Sequence, residues 1–570
     1  MAADCRRRLL ATSGVPVGVC EDPGPCPICG GPMRVQKTVC RSGMTIKHGM
    51  FQAQETVHMC AAGCRYPSGA LVTRRAACLA RIVMPRRHVG YDVMVAVGLR
   101  RFRDHRQREE IRRELLDERG IDLSPGEISG LAQCFLEYLE ELHIARSESL
   151  RAALEADGGY PLHIDATGED GRGTLFLAIA GWRRWVLDAR KIPTERADAI
   201  VPVLRSVFAR FGAPCRVVRD LGRAMIRAAD DLVAEWGGGI RVLACHAHFL
   251  CDVGTDLLDP GHGELRDQFR RFKVRPALRA LARDLGRTLG DDIATVRDEL
   301  TQWLEQDRQD HELPPDRLGL AEVRALAQWV LDYPAEARGQ DFPMARPYLA
   351  FYERCVRARR TVDAFFRKPP ENRQVRRALD RLRRALEPVT SEAHFGEVAR
   401  GLRKRAELFD ELRDALRLFP KDEDAEETSR AHPLALQERI AEVKDIQGDV
   451  ERLVVSLRER RPERGPAEDL REGIDIILEH IDDHSPYLWG HIVELPAAVG
   501  GGFRIVDRTN NIPETGIRDL KHGERRRSGR KILTQDFEHL PAAAALVSNL
   551  AHADYVKILC GSLDRLADAF

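Results

Sequence analysis

Three kinds of hydrophobic patterning follow one another along the chain. Residues 1–85 carry short β-type runs such as Glu55-Thr56-Val57-His58-Met59, punctuated by Pro23-Gly24-Pro25. From Tyr91 the apolar positions recur at three-to-four spacing, as in Ile111, Leu115 and Leu116 and then Ile128, Leu131, Phe135 and Leu139. That spacing predicts amphipathic helices to about residue 155. At Gly158-Gly159 the period changes again. Pro161–Asp165, Thr174–Ala180 and Arg184–Ala189 read as strands, with the turn Glu169–Gly173 between the first two. A helix over Ala197–Phe211, a strand over Cys215–Asp220, a helix over Arg223–Glu235, a strand over Ile240–Ala244 and a helix from His246 complete the pattern. Three strands followed by alternating helix and strand predict a mixed sheet with helices packed on it.

From Leu258 to Gly500 strand patterning nearly vanishes, and long amphipathic stretches such as Val375–Leu386, Leu434–Leu457 and Leu470–Ile481 dominate. Pro369-Pro370, Pro420 and the acidic run Asp422–Glu427 interrupt them. The expected organisation is therefore a ribbon over 1–85, a helical module over 86–156, an α/β core over 157–257, an all-helical insertion over 258–500 and a return to the core over 501–570. A coiled hairpin within the insertion, or a solenoid, would satisfy the same periodicity.

Composition adds little until its distribution is read. The 570 residues carry a net charge of +1, yet residues 1–108 hold 18 Lys and Arg against 6 Asp and Glu. A basic end on a neutral chain suits an anionic partner such as nucleic acid, and also suits a solvated basic face. The longest apolar stretch near the C-terminus, Ala542–Val547, is far below the ~18 residues of a membrane span. No apolar run follows Arg6–Arg8, so the expectation is a cytoplasmic protein without a secretory leader.

Eight of the fourteen cysteines lie in the first 80 residues. Cys26-x-x-Cys29 and Cys60-x-x-x-Cys64 place two thiol pairs on tight turns, a spacing that closes a tetrahedral Zn²⁺ site. Four thiolates leave no open position, so such a zinc is structural; Cys20, Cys40, His48 and His58 are available as substitutes. Next comes a helix-turn-helix pattern. Arg106–Glu118 ends at Gly120, and Ser124-Pro125-Gly126-Glu127 opens a second helix to about Leu142 with an N-cap Ser, Pro at the first position and Glu at the third. In that geometry the second helix enters a major groove while Arg101, Arg103, Arg106 and Arg108 hold phosphates. A plain helical hairpin packed on the sheet fits the same sequence, and Glu137, Glu140 and Glu141 confine any DNA contact to the second helix's N-terminal part.

Asp165 and Asp220 close two strands of the predicted core, where carboxylates on one sheet edge can hold divalent ions through oxygen. Further on, Arg508-Thr509-Asn510-Asn511-Ile512-Pro513-Glu514 opens a helix that Asn510 or Asn511 can cap. Glu514 falls in its first turn, and Arg518, Lys521 and Arg525 repeat along it as a basic stripe able to follow a phosphate backbone. Cys245, His246, His248 and Cys251 form a further cluster, with Cys245 and His248 open to a second metal or to core packing.

Leu162-His163-Ile164-Asp165, Val217-Val218-Arg219-Asp220-Leu221-Gly222, Cys245-His246-Ala247-His248 and Thr509-Asn510-Asn511-Ile512-Pro513-Glu514 together resemble the DDE transposases, which have an RNase H-like catalytic domain. In prokaryotic insertion-sequence transposases a Thr-Asn-Asn-x-x-Glu string carries the third acid. A Cys-x-x-His string before it, with a helical insertion, is similar to Mutator-like enzymes. The resemblance implies that Asp165, Asp220 and Glu514 hold two Mg²⁺ or Mn²⁺ ions and that the partners are element-end and target DNA. It further implies at least a homodimer in a bacterial cytoplasm, associated with the nucleoid. Asp220 and Glu514 are 294 residues apart, which leaves Glu494 and Glu524 as other choices for the third acid. A catalytically inactive zinc-ribbon regulator, or an RNase H-like nuclease without strand transfer, would carry much the same motifs.

Overall fold

The computed structural model describes residues 17–169, 172–237, 239–290, 293–304, 316–337, 339–419, 436–465 and 467–570. The basic Arg6–Arg8, the centre of the Glu169–Gly173 turn, Pro420 and the acidic run 422–427 lie outside these residues. The chain divides into two compact units, residues 1–245 with 490–570, and residues 246–489. Sequence periodicity put the helical boundaries at 258 and 500. The first shifts because the helix His246–Arg271 runs unbroken through 258. The second shifts because residues 492–505 form a short antiparallel hairpin, β10 (Ile492–Glu494) with β11 (Phe503–Ile505), inside the first unit. Strands of three residues are too short to leave a period in the sequence.

The first unit opens with β1 (Val17–Val19), β2 (Met33–Thr45), β3 (Gly49–Cys60) and β4 (Thr73–Arg74). β2 and β3 form a long antiparallel ribbon with an irregularity between Val35 and Lys37. Among its buried apolar residues Ala53, Ala76, Leu79 and Val83 form one cluster and Cys26, Cys60 and Val72 another, with Met44 and Val57 also buried. Such an element needs a second source of stability.

The helix-turn-helix pattern folds as Arg108–Arg119 and Pro125–Ala145. Ser124 Oγ accepts the Glu127 N–H at 3.2 Å while the Glu127 carboxylate accepts the Ser124 N–H at 2.9 Å, the reciprocal cap the sequence predicts. Length decides what the second helix does. Ile128, Leu131, Phe135, Leu136, Leu139 and Leu142 are buried, and His143 joins Tyr555 Oη at 2.8 Å and the Leu187 carbonyl at 3.0 Å. Burial holds the His143 imidazole down at about 4, so it stays neutral as a packing group. The helix is a packed member of the unit, and its exposed positions include Gly126, Ser129 and Gln133 in its N-terminal half and Glu137, Glu141 and Ile144 beyond.

The main sheet has the order β7-β6-β5-β8-β9, with β5 (Pro161–Glu169), β6 (Arg172–Ala180), β7 (Trp185–Lys191), β8 (Arg216–Arg219) and β9 (Arg241–Ala244). β5, β6 and β7 are antiparallel, whereas β5, β8 and β9 run parallel. The fold is therefore the mixed α/β arrangement expected. Leu175 to Ala180 are buried without interruption, the mark of a strand covered on both faces. The second unit is all-helical among its described residues, from His246–Arg271 to Glu468–Leu488. Phe269, Phe351, Phe395 and Phe409 are among its buried side chains.

Candidate functional site

The ribbon brings Cys26, Cys29, Cys60 and Cys64 together with all four sulfurs within 4.8 Å of one another. Two tight turns achieve this, closed by Gly30 N–H to the Cys26 carbonyl and Gly63 N–H to the Cys60 carbonyl. Both glycines take positive φ, 68° and 72°, where a side chain would be strained. The Cys64 N–H and neighbouring thiols pull the Cys60 thiol down to about 6, while Cys29 and Cys60 push Cys64 up to about 12. One sulfur readily loses its proton and another resists, as expected of crowded thiols that share hydrogen bonds. Four convergent sulfurs can hold a structural zinc; Cys20, Cys40, His48 and His58 stand outside the group.

On the main sheet β8 pairs with β5 only over Pro161–His163, so the two strands part just before Asp165. β5 itself runs on to Glu169 against β6, further than the sequence predicts. Asp165 is 8% exposed and its Oδ1 accepts the Ala166 N–H at 2.8 Å. Asp220 follows β8 directly, and its Oδ1 accepts the Gly222 N–H at 3.1 Å, at the start of the next helix. Burial, then the charge of Asp220 and, more weakly, those of Glu514 and Glu195, push the Asp165 carboxyl up to about 7. The charges of Asp220 and Glu514 thus both raise the carboxyl of Asp165. Glu195, between β7 and the following helix, is a fourth acid that the sequence did not single out; its own carboxyl is raised by burial and by Asp220. Repelling carboxylates of this kind fit a divalent cation, which neutralises them through oxygen ligands.

Asp165 and Glu514 line a cleft of about 270 Å³ together with Thr167, Arg518, Lys521 and Arg525. Glu514 sits in the first turn of the helix Asn511–Ser528, as the motif predicts. The capping expectation is corrected here. Asn510 occupies the N-cap position, but its side chain makes no cap bond and reaches instead into the sheet. Its Nδ2 donates to the Ile164 carbonyl at 2.8 Å, its Oδ1 meets His163 Nδ1 at 3.1 Å, and its N–H donates to Cys245 Sγ at 3.1 Å. Lys521 Nζ reaches Thr167 Oγ1 at 3.3 Å and the Gly168 carbonyl at 3.2 Å, tying the middle of the same helix to the end of β5. Arg518 and Arg525 are exposed.

Of the other choices for the third acid, Glu524 is occupied elsewhere and Glu494 is exposed on the β10–β11 hairpin. Glu524 is buried in an ion pair with Arg527, whose Nη2 lies 2.5 Å from its carboxylate. Glu494 pairs with Phe503 in the β10–β11 hairpin. Cys245 is fully buried as the acceptor for Asn510, and His248 belongs to the helical unit. His246 Nε2 is bound to the Leu488 carbonyl at 2.7 Å, a packing role.

The arginines before the helix-turn-helix pattern are largely committed to their own module. Arg100 pairs with Glu114 and Glu118, Arg103 with Asp104, and Arg106 with Glu114. Arg101 donates to the Arg106 carbonyl, and burial followed by Arg527 lowers its guanidinium to about 10. Arg108 is exposed and contacts Ser129 Oγ at 3.4 Å. These pairs could not be read from spacing, because Glu114 and Glu118 return on a separate helix.

One consequence can be measured without any substrate. Asp165 has a folded-state pKa of about 7 against an ordinary 3.8, so between those values the folded protein holds more protons than the unfolded chain. Stability therefore falls as pH rises through this window, by at most about 4 kcal/mol. With zinc retained and no Mg²⁺ or Mn²⁺ added, Asp165→Asn is expected to raise the melting temperature clearly at pH 8 and much less at pH 5. An equal gain at both pH values would contradict the buried-charge account.

Among the described residues no helix is long and apolar enough to cross a membrane. By sequence, the chain matches no protein-family model and no curated protein.

Proposed function

We propose that the chain is a DDE transposase, cutting and joining DNA strands with Asp165, Asp220 and Glu514 on an RNase H-like core. The observation that carries this reading is that Asp165 and Glu514 line one cleft, with Asp165 and Asp220 each two residues beyond the His163–Val218 pair of the parallel strands β5 and β8. A sheet of three antiparallel strands continued by two parallel ones suits the RNase H-like assignment. Mg²⁺ or Mn²⁺ held by these carboxylates would supply charge neutralisation at the phosphodiester and a nucleophile at neutral pH. The protein's own part is to position and to bind. Asp165 is held by the Ala166 amide and Asp220 by the Gly222 amide, so neither must reorganise. Arg518 and Arg525 offer exposed cations beside the acids, and Lys521 fixes their helix to β5. In this reading Cys26, Cys29, Cys60 and Cys64 hold zinc, the N-terminal elements bind the element's ends, and a dimer or larger assembly pairs those ends.

The test is a strand-transfer assay on the full chain, using the DNA that flanks its gene as pre-cut ends and a plasmid as target. Mg²⁺-dependent joining is expected. Cutting without joining would make the protein a nuclease, and neither cutting nor joining in Mg²⁺ or Mn²⁺ would leave a DNA-binding regulator.

A further inference from the structure

The two motifs that carry the outer acids, Leu162–Asp165 and Thr509–Glu514, are physically joined by one side chain. Asn510 is fully buried, four residues before Glu514, and the Glu514 N–H points back to the Asn510 carbonyl at 3.5 Å. Its amide spends both ends on β5. The donor goes to the Ile164 carbonyl and the acceptor to His163, the two residues immediately before Asp165. Its backbone N–H goes to the thiol of Cys245, immediately beyond β9. An N-cap Asn ordinarily turns its oxygen onto its own helix, as Asn372 does at the start of Arg373–Ser391, where Oδ1 accepts from Gln374 and Val375. Asn510 forgoes that local bond.

Resting on the transposase reading of the acids, we propose that Asn510 is a positioning residue that fixes Glu514 relative to Asp165 and thereby sets the affinity of the site for a divalent cation. The amide is suited to the task because one planar group supplies a donor and an acceptor at once, so both angle and depth of the helix start are defined. A hydroxyl offers both only from a single atom, and an aliphatic group of similar size offers neither, so neither spans two separate partners on the strand. Ser124, at the start of Pro125–Ala145, makes the contrast plain: its cap shapes its own helix and reaches no strand. Outer partners that orient ligands typically change metal affinity about 10- to 100-fold when removed.

The experiment is Mn²⁺ titration by calorimetry on the full chain with its zinc retained, comparing wild type, Asn510→Ala, Glu514→Gln and the double variant. Circular dichroism and the melting temperature without Mn²⁺ establish that each variant is folded. Asn510→Ala is expected to weaken Mn²⁺ binding about 10- to 100-fold. In the Glu514→Gln background the same change is expected to have little further effect, because Asn510 then has no ligand to position. Should Asn510→Ala not fold, Asn510→Ser keeps a polar group at the buried position and carries the same comparison. Unchanged affinity, or an equal loss with and without Glu514, would overturn the proposal while leaving the site's function standing. Mn²⁺ binding that is indifferent to Asp165→Asn and Asp220→Asn would overturn the reading of the site itself, and the proposal with it.

Discussion

Asp220→Asn and Glu514→Gln are each expected to lower Mg²⁺-dependent strand cleavage by about a thousandfold or more, with the fold retained. The magnitude follows from losing a metal ligand, which removes several kcal/mol of transition-state stabilisation at about 1.4 kcal/mol per tenfold. Both acids sit at the beginning of helices, Asp220 accepting from Gly222 and Glu514 on the first turn, and each amide substitution keeps the side chain's size, so the fold is expected to be retained. Glu524→Gln provides the contrast. Its carboxylate is buried against Arg527, and removing one charge of such a pair strands the other at a cost of about 3 to 5 kcal/mol. Its expected phenotype is a lowered melting temperature with normal cleavage per folded molecule. Cleavage and melting temperature measured side by side distinguish the two classes. Full cleavage by Glu514→Gln would move the third ligand elsewhere, with Glu195 the nearest alternative because its charge reaches both Asp165 and Asp220.

Removing zinc should have an effect of similar size on a different part of the molecule. The ribbon's buried clusters, Ala53, Ala76, Leu79 and Val83 and then Cys26, Cys60 and Val72, are small. A structural zinc in small domains contributes on the order of 10 kcal/mol of apparent folding free energy near neutral pH. Cys60→Ser, or treatment with a strong chelator, is therefore expected to unfold β2 and β3. Hydrogen exchange should then show protection lost over residues 17–85 and kept over β5–β9, whose residues Leu175–Ala180 are covered on both faces. Protection of β2 and β3 that survives zinc removal would show that the thiols are not a folding site.

What the sequence determined by itself is what neighbouring residues decide among themselves. Thiols three and four residues apart on glycine-bearing turns come together within each pair because the turns are local. Ser124 and Glu127 meet because one helical turn separates them. Runs such as Leu175–Ala180 become covered strands, and acids directly after or within them arrive at a common sheet edge. Tertiary structure decided everything that depended on a partner far along the chain. Asn510 reads as a helix cap until Ile164, 346 residues earlier, takes its amide. That Arg106, read as a phosphate ligand, also pairs with Glu114 shows only once the helix carrying Glu114 folds back on it. That the C-terminal end of Pro125–Ala145 is packed into the unit shows only once His143 meets Tyr555 and β7. Glu195 has no motif at all, and becomes part of the site only through the field it shares with Asp220. The reason is the range of the forces involved. Backbone propensity and capping act over one turn and leave a spacing in the sequence, whereas hydrogen bonds and charge pairs between distant segments leave none until the fold sets their distance.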